Sequence, residues 1–412
     1  KTLRKLENDL TDARAELDDL TAKLAVVQSD PVLSRLAAEH AEIGTAVLAE
    51  TAKLHEGDEE NLRLWREFLP PCEDEIRRVY GRLGVTFDHT LGESFYQERL
   101  GPIVEELQKK GVAKQSDGAI CIFFPDHDVP MLIRKKDGAF LYATTDLATI
   151  RYRMETWQPD AILYVVDHRQ SMHFEHLFAA ASLIGYDDLE LQHVSFGTVL
   201  GDDGRPFKTR SGDTVGLEGL LDEAVRRAAA IVSENDDAKP DGRELSAEQR
   251  EQVAQRVGIA AIKYADLSQN RTSDYVFSYD KMVATKGNTA TYMQYAYARV
   301  RSIFRRGNVD IEALRSSGAP ILLQEPAERA LGLELLRLGE ALDLATTDYR
   351  PNQLTAYLFD LAGRYSTFFD QCHVLKAESE ELRDSRLLLC DLTARTIRKG
   401  LELLGIEVVE QM

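Results

Sequence analysis

Cysteine is scarce in this chain. Cys72, Cys121, Cys372 and Cys390 are far apart, with no CxxC pair. That argues against a disulfide framework or a thiolate zinc site, and it fits a reducing cytoplasm. Long apolar runs are lacking too, since none approaches the ~18 residues that span a bilayer. No basic segment followed by an apolar core opens the chain, so no secretory leader is expected. The chain starts at Lys1 rather than Met, as a fragment or a processed product would. Internal repeats and low-complexity tracts are missing. Positive charge is in deficit: 50 Lys and Arg face 69 Asp and Glu, for a net of −19. Binding of nucleic acid through bulk charge, DNA included, is thereby disfavoured.

What is present is an ordinary globular composition. The chain is 44% hydrophobic over 412 residues, enough for two or three domains. Its charge is uneven. Positions 286–412 hold 16 Lys and Arg against 18 Asp and Glu, so nearly all of the deficit lies before them. Arg299, Arg301, Arg305 and Arg306 cluster there, as do Arg395, Arg398 and Lys399. Such clusters are either local phosphate-contacting faces or solvated helix faces.

Leu3, Leu6, Leu10, Ala13, Leu17, Leu20 and Leu24 alternate by three and four residues, the spacing of a coiled-coil arm or a long helical hairpin. Pro31 interrupts it. Positions 33–55 and 61–83 read as amphipathic helices, the second broken by Pro70 and Pro71. From Gly118 short strands are predicted, at 119–124, 131–133 and 139–142. A helix over 147–156 follows, capped by Thr144 or Thr145 with Asp146 in its first turn. A strand at 161–166, a helix at 172–184 and a strand at 191–196 continue the alternation. The pattern predicts an open α/β sheet with right-handed crossovers, whose sites lie beyond the strand C-termini. A helix is expected at 217–231. After a polar linker at 236–247 come helices at 248–267, 289–304, 325–343, 353–372 and 383–404, a helical bundle.

Several stretches carry candidate chemistry. The segment 197–212 has glycine at both ends and Lys208 and Arg210 between them, the layout of a clamp closing on a phosphate. The alternative is a surface hairpin with incidental charge. Tyr142 is expected to close a strand and Asp146 to open a helix, both facing one crevice. A buried carboxylate there demands a cation, best a guanidinium, unless Asp146 only caps its helix and neutralises Arg151 or Arg153. The polar run from Asp167 to Gln170 sits at a strand end, as either a ligand edge or a solvated loop. His173 and His176 are three apart on a helix, but no third ligand is evident, so no metal site is assigned.

Taken together, these blocks resemble the arginyl-tRNA synthetases of bacterial type, a class I aminoacyl-tRNA synthetase family. The resemblance rests on RLGVTFD (82–88) with GESFY (92–96), KDGAFLYATTDLA (136–148), and YVVDHRQ (164–170) with His173 and Phe174. It continues through HVSFGTVLG (193–201) into FKTRSG (207–212), then KYADLS (263–268) and GNTATYMQYAY (287–297). It ends with LLGI (403–406) and the terminal Gln411 and Met412. It spans roughly 35–412. It implies a partial Rossmann-type parallel sheet followed by an all-α anticodon-binding bundle. The expected boundaries are a coiled-coil-like insertion at 1–33, the C-terminal part of the catalytic domain at 34–234, a helical linker at 235–285 and the anticodon domain at 286–412.

The resemblance also implies roles. Tyr142 and Asp146 would bind the arginine guanidinium, helped by Gln170. Phe196, Gly197 and Val199 would line the adenine of ATP, which Mg²⁺ accompanies. Lys208, Thr209 and Arg210 occupy the second class I signature, with Thr209 standing where a second lysine is usual. Tyr292 and Tyr295 would stack on the anticodon loop of the arginine tRNA, with Met412 close by. A monomer acting in the cytoplasm, away from membranes, is expected. The HIGH signature, the Ser-x-Asn element and the tRNA-elbow domain of the family do not occur in the chain, and the heptad has no counterpart in the family core. The chain is therefore expected to be the C-terminal two-thirds of such a ligase, the heptad lying between two sheet halves. The alternatives are a non-catalytic tRNA-binding or scaffolding protein joined through the heptad helix, or a synthetase for another amino acid.

Overall fold

A computed structural model describes residues 2–125, 127–201, 204, 216–239 and 242–412. The chain separates into two compact units, Lys1–Arg78 and Val79–Met412. The first is helical: α1 (Thr2–Ser29), α2 (Pro31–Glu39), α3 (Ile43–Glu56) and most of α4 (Glu59–Leu83). Leu10, Leu17, Leu20 and Leu24 keep over half of their surface exposed, so the heptad stripe of α1 is open to solvent there. Pro31 ends one helix and starts the next. It sits in the first turn of α2, where its missing N–H costs nothing, and the Asp30 carboxylate accepts from the N–H groups of Val32 and Leu33. A break at 40–42 divides the single helix expected over 33–55. Pro70 and Pro71, by contrast, do not break α4. The turns on either side are pinned by ion pairs, Arg63 to Glu60 and Glu67 and Arg77 to Glu73, at 2.8–2.9 Å.

The second unit begins with a 3₁₀ turn (Glu93–Tyr96) and α5 (Gln97–Lys109). Strands β1 (Ala113–Ser116), β2 (Ala119–Ile122) and β3 (Met131–Arg134) then form an antiparallel meander, not part of the parallel sheet the sequence predicts. The cause is local. Asp117 (φ 49°) and Gly118 (φ 83°) are both left-handed and join β1 to β2 by a two-residue turn, which commits the strands to antiparallel pairing. The strand expected at 139–142 is a single bridge, Phe140 to Arg134. Tyr142 opens helix α6 (Tyr142–Thr156) instead of closing a strand, and this helix starts five residues before the expected one without a side-chain cap. Thr144 donates its hydroxyl to the Ile133 carbonyl, fastening α6 to β3.

The α/β part proper is β4 (Ala161–Tyr164), a 3₁₀ turn (His168–Gln170), α7 (Ser171–Leu183) and β5 (Glu190–His193). β4 and β5 pair in parallel, from Ala161 opposite Glu190 to Tyr164 opposite His193. Next come β6 (Val199–Leu200), α8 (Leu217–Asp237), α9 (Ala247–Leu267), β7 (Tyr275–Val276) and α10 (Tyr279–Met282), with β6 and β7 parallel. The bundle follows as α11 (Ala290–Gly307), α12 (Ile311–Ser316), α13 (Pro326–Leu336), α14 (Leu338–Thr347), α15 (Pro351–Gln371) and α16 (Glu380–Leu403). The single helix expected over 325–343 is thus two, parted at Arg337. A small parallel sheet followed by an all-helical part is the class the sequence predicts.

Two large apolar cores result. One lies under the strands, where Leu100, Ile103, Val104 and Leu107 form the buried stripe of α5 against Ile122, Ile133, Leu147 and Leu177. The other fills the bundle around Tyr264, Tyr297, Leu358, Leu361 and Ile397. Gly258 lets α8 and α9 touch, since a Cβ there would lie 2.6 Å from the Val225 backbone.

The polar linker expected at 236–247 conceals a buried carboxylate. α8 runs to Asp237, and Asp236 is buried. Burial alone would raise its pKa. The backbone N–H of Glu244 and the side chains of Arg250 and Lys239 outweigh that and hold it well below the usual carboxylate range. Asp236→Asn is expected to cost about 3 kcal/mol at neutral pH, the scale of breaking a buried pair. A group with a lowered folded pKa stabilises above its unfolded value. The difference between variant and parent in urea unfolding should therefore be full at pH 7 and shrink as pH falls below about 4.

Candidate active site

The parallel pairing of β4 and β5 sends two loops out of one sheet edge. Beyond the strand ends, Asp167 bridges to Phe196, and the His168 N–H donates to the Phe196 carbonyl at 3.0 Å. The Asp167–Gln170 run is partly self-satisfied. Asp167 accepts from the backbone and guanidinium of Arg169, each at 2.8 Å, and this holds its pKa down at about 2. Gln170 is left to face a cavity of about 500 Å³.

Tyr142 and Asp146 line the same cavity, one helical turn apart on α6. The structure thus brings together the three residues assigned to one ligand. Asp146 does not neutralise the arginines of its own helix. Arg151 pairs with Glu106 at 2.6 Å, and Arg153 places its guanidinium over the Tyr164 ring, 5.7 Å from the centroid. Asp146 Oδ2 instead lies 2.7 Å from His173 Nε2. A carboxylate only accepts, so Nε2 carries the proton. Tyr142 rests edge-on against the same imidazole at 4.6 Å and is otherwise exposed. Tyr164 adds a buried hydroxyl near Arg153, and burial pushes its phenol pKa up.

His173 and His176 serve different neighbours. His176 stacks on Phe124 at 5.1 Å and meets the edge of His127 at 4.6 Å, and burial lowers its pKa. Among the described residues, no three His, Cys, Asp or Glu side chains converge on a metal position.

The second loop carries Phe196, Gly197 and Val199. Phe196 is exposed, and Val199 is half-buried in β6. Gly197 is required by packing: a Cβ would stand 2.5 Å from the carbonyl carbon and oxygen of Ser273. Its N–H donates to the Arg271 carbonyl at 2.8 Å, and the Thr198 N–H to the Asp274 carboxylate at 2.6 Å. Arg271 in turn donates to the carbonyls of Ser195, Tyr349 and Asp348. This bracing by 271–274, like the His173 contact, escaped the sequence reading. The only trace of it is a polar stretch (SQNRTSD, 268–274) between helix and strand. Lys208, Thr209 and Arg210 lie outside the described residues.

In the bundle, Tyr295 is 46% exposed, while Tyr292 packs on the core with its ring 5.9 Å from Phe359. Met412 is buried in a separate cluster with Ala228, Val232, Val257 and Ala298. The basic clusters are largely engaged. Arg301 and Arg398 both hold Glu410, at 2.7 and 2.6 Å, Arg305 donates to its carbonyl, and Arg299 lies 3.5 Å from Asp370.

Comparison with known proteins gives two family matches. Residues 2–279 match "tRNA synthetases class I (R), catalytic domain", and residues 293–412 match "DALR anticodon binding domain". The first includes the heptad helix, which the sequence reading had set outside the family core. The arginine–tRNA ligase of Rhodopirellula baltica is 52% identical over 97% of this chain and 60% of its own length. That of Cellvibrio japonicus is 46% identical over 87% of this chain and 62% of its own length. The arginyl-tRNA synthetase structure from Plasmodium falciparum superposes with a TM-score of 0.78 at 28% identity, over 92% of this chain and 63% of the other. The chain therefore spans about 60% of the length of these curated relatives.

Gly197→Ala is expected to destabilise the second unit by about 1–3 kcal/mol, because the methyl meets backbone that cannot rotate away. Thermal unfolding would show it. A variant as stable as the parent would contradict the close approach to Ser273.

Proposed function

The chain belongs to the class I arginyl-tRNA synthetase family, and we propose from that premise that it carries the arginine-binding and anticodon-binding parts of an arginine–tRNA ligase. The observation that carries this reading is Asp146, a carboxylate with one oxygen held by His173, facing a cavity shared with Tyr142 and Gln170. A guanidinium suits that setting, being always charged and able to place its planar fork on a carboxylate. The cavity opens at the strand C-terminal edge, where ligands of parallel α/β sheets bind.

In the reaction, the arginine carboxylate attacks the α-phosphorus of ATP, forming arginyl-adenylate and releasing pyrophosphate. The 2′-hydroxyl of the terminal tRNA adenosine then attacks the arginyl carbonyl and expels AMP. Tyr142, Asp146 and Gln170 would fix the amino acid, and Phe196, Gly197 and Val199 would seat the adenine. Lys208 and Arg210 would offset charge building on the α-phosphate, with Thr209 between them. Positioning and electrostatics supply the rate, since no side chain needs to act as nucleophile. Mg²⁺ would accompany ATP. Residues 34–234 would form the catalytic part, 1–33 an insertion, 235–285 the linker and 286–412 the anticodon domain. Tyr295 and Tyr292 would meet the tRNA, Tyr295 offering the more open ring, while Met412, buried in its own cluster, would lie close by without touching it. We assign a monomer working in the cytoplasm.

Asp146→Asn is expected to weaken arginine binding to this chain about 100-fold in calorimetry, the scale of removing one charged partner from a close pair. Arginine-dependent pyrophosphate exchange by the full-length polypeptide, with tRNA present, should fall in parallel. A variant that keeps arginine use would remove Asp146 from the guanidinium site. Tyr295→Ala should weaken tRNA binding roughly tenfold, as for a lost base-stacking ring, and leave arginine affinity unchanged. Unaltered tRNA affinity would remove Tyr295 from the interface.

A further inference from the structure

Asp146 is an anchored carboxylate. The terminal torsion of an aspartate is broad and roughly two-fold, so an unheld carboxylate would swivel at the cavity wall. A guanidinium fork, however, needs the carboxylate plane aligned with its own. His173 supplies the anchor: its Nε2–H meets Oδ2 at 2.7 Å, and its side chain is only 9% exposed. The imidazole is itself confined. It meets Tyr142 at 4.6 Å on one side and Phe174, a core residue, at 5.1 Å on another.

We propose that His173 is the positioning residue of the amino-acid site, locking the Asp146 carboxylate and bracing the Tyr142 ring so that both meet a guanidinium in one fixed orientation. This rests on the arginine reading of the cavity. His173 is not among the cavity-lining residues and acts through the two that are. The residue type matters. Lysine or arginine at 173 could hold the carboxylate equally well but would cancel the charge the ligand needs, whereas an imidazole can give the hydrogen bond without a full charge. Fixing the carboxylate before binding also removes an ordering cost from association.

The test is arginine affinity by calorimetry on this 412-residue chain, with ATP affinity and thermal midpoint measured beside it. His173→Leu should weaken arginine binding about tenfold or more, the scale of losing a hydrogen bond to a charged group. His173→Gln should return to within about threefold of the parent, because its amide nitrogen reaches the place of Nε2. His173→Asn, one carbon shorter, should stay weak. ATP affinity should be unchanged in all three. The proposal is overturned if His173→Leu binds arginine within twofold of the parent, if the Gln and Asn variants behave alike, or if affinity merely follows the fall in thermal midpoint. A parent chain that binds no arginine overturns the reading of the cavity, and this assignment with it.

Discussion

The parallel pairing of β4 with β5 is the constraint on which the site depends. Antiparallel neighbours would send their following loops to opposite edges, whereas parallel ones send both to the same edge. Here the pairing extends past the strands to the Asp167–Phe196 bridge. The two loops therefore meet again three residues after the ladder ends. The Asp167–Gln170 loop and the Phe196–Val199 segment are adjacent for this reason. The crossover helix α7 contributes as well, since its first turn carries His173 back to α6.

The second loop is held from its far side. Gly197 and Thr198 lie against 271–274 through two backbone donors and one contact too close for any side chain. Arg271 gives that support its reach. Its guanidinium spends its donors on three carbonyls, one from the loop and two from the turn between α14 and α15. Burial lowers its pKa, with Arg350 adding to the effect. A planar fork can bind several carbonyls in fixed directions at once, which a lysine's point charge cannot do. The Gly197 loop is thereby fastened to the turn between α14 and α15.

Legibility from sequence followed the range of the interactions involved. Helices of the bundle were readable because their apolar spacing is local. The crossover unit was readable because continuous apolar strands flanking an amphipathic helix have few other folds. Misreadings arose where two local signals competed. The Asp117–Gly118 turn outweighed the strand-and-helix texture and made the first three strands a meander. At Tyr142, aromatic and apolar residues suggested a strand, while the tertiary bond from Thr144 to Ile133 starts a helix. Pro70 and Pro71 carry a strong breaking signal, yet α4 runs through both. The grouping of Tyr142, Asp146 and Gln170 was legible only as what the family resemblance implies. Its support was not, because His173 meets Asp146 across 27 positions and Ser273 meets Gly197 across 76, distances at which sequence spacing says nothing about contact.

Helix α9 links the two halves of this unit by what each of its faces buries. Ala260 and Tyr264 belong to the bundle core, Val257 to the cluster holding Met412, and Ala261 to the cluster around Phe277 that touches Val199. Near its end Asp266 accepts from the Tyr275 hydroxyl in β7, the partner strand of β6. From Val257 to Asp266 is about 13.5 Å along the helix. The chain end and β6 thus bear on one helix. The chain end is itself fixed, since Glu410 is gripped by Tyr297, Arg301 and Arg398. Contiguity of this kind becomes coupling only where an element has two arrangements. A helix packed on three faces does not bend alone, so any second arrangement of α9 is a displacement of the whole helix.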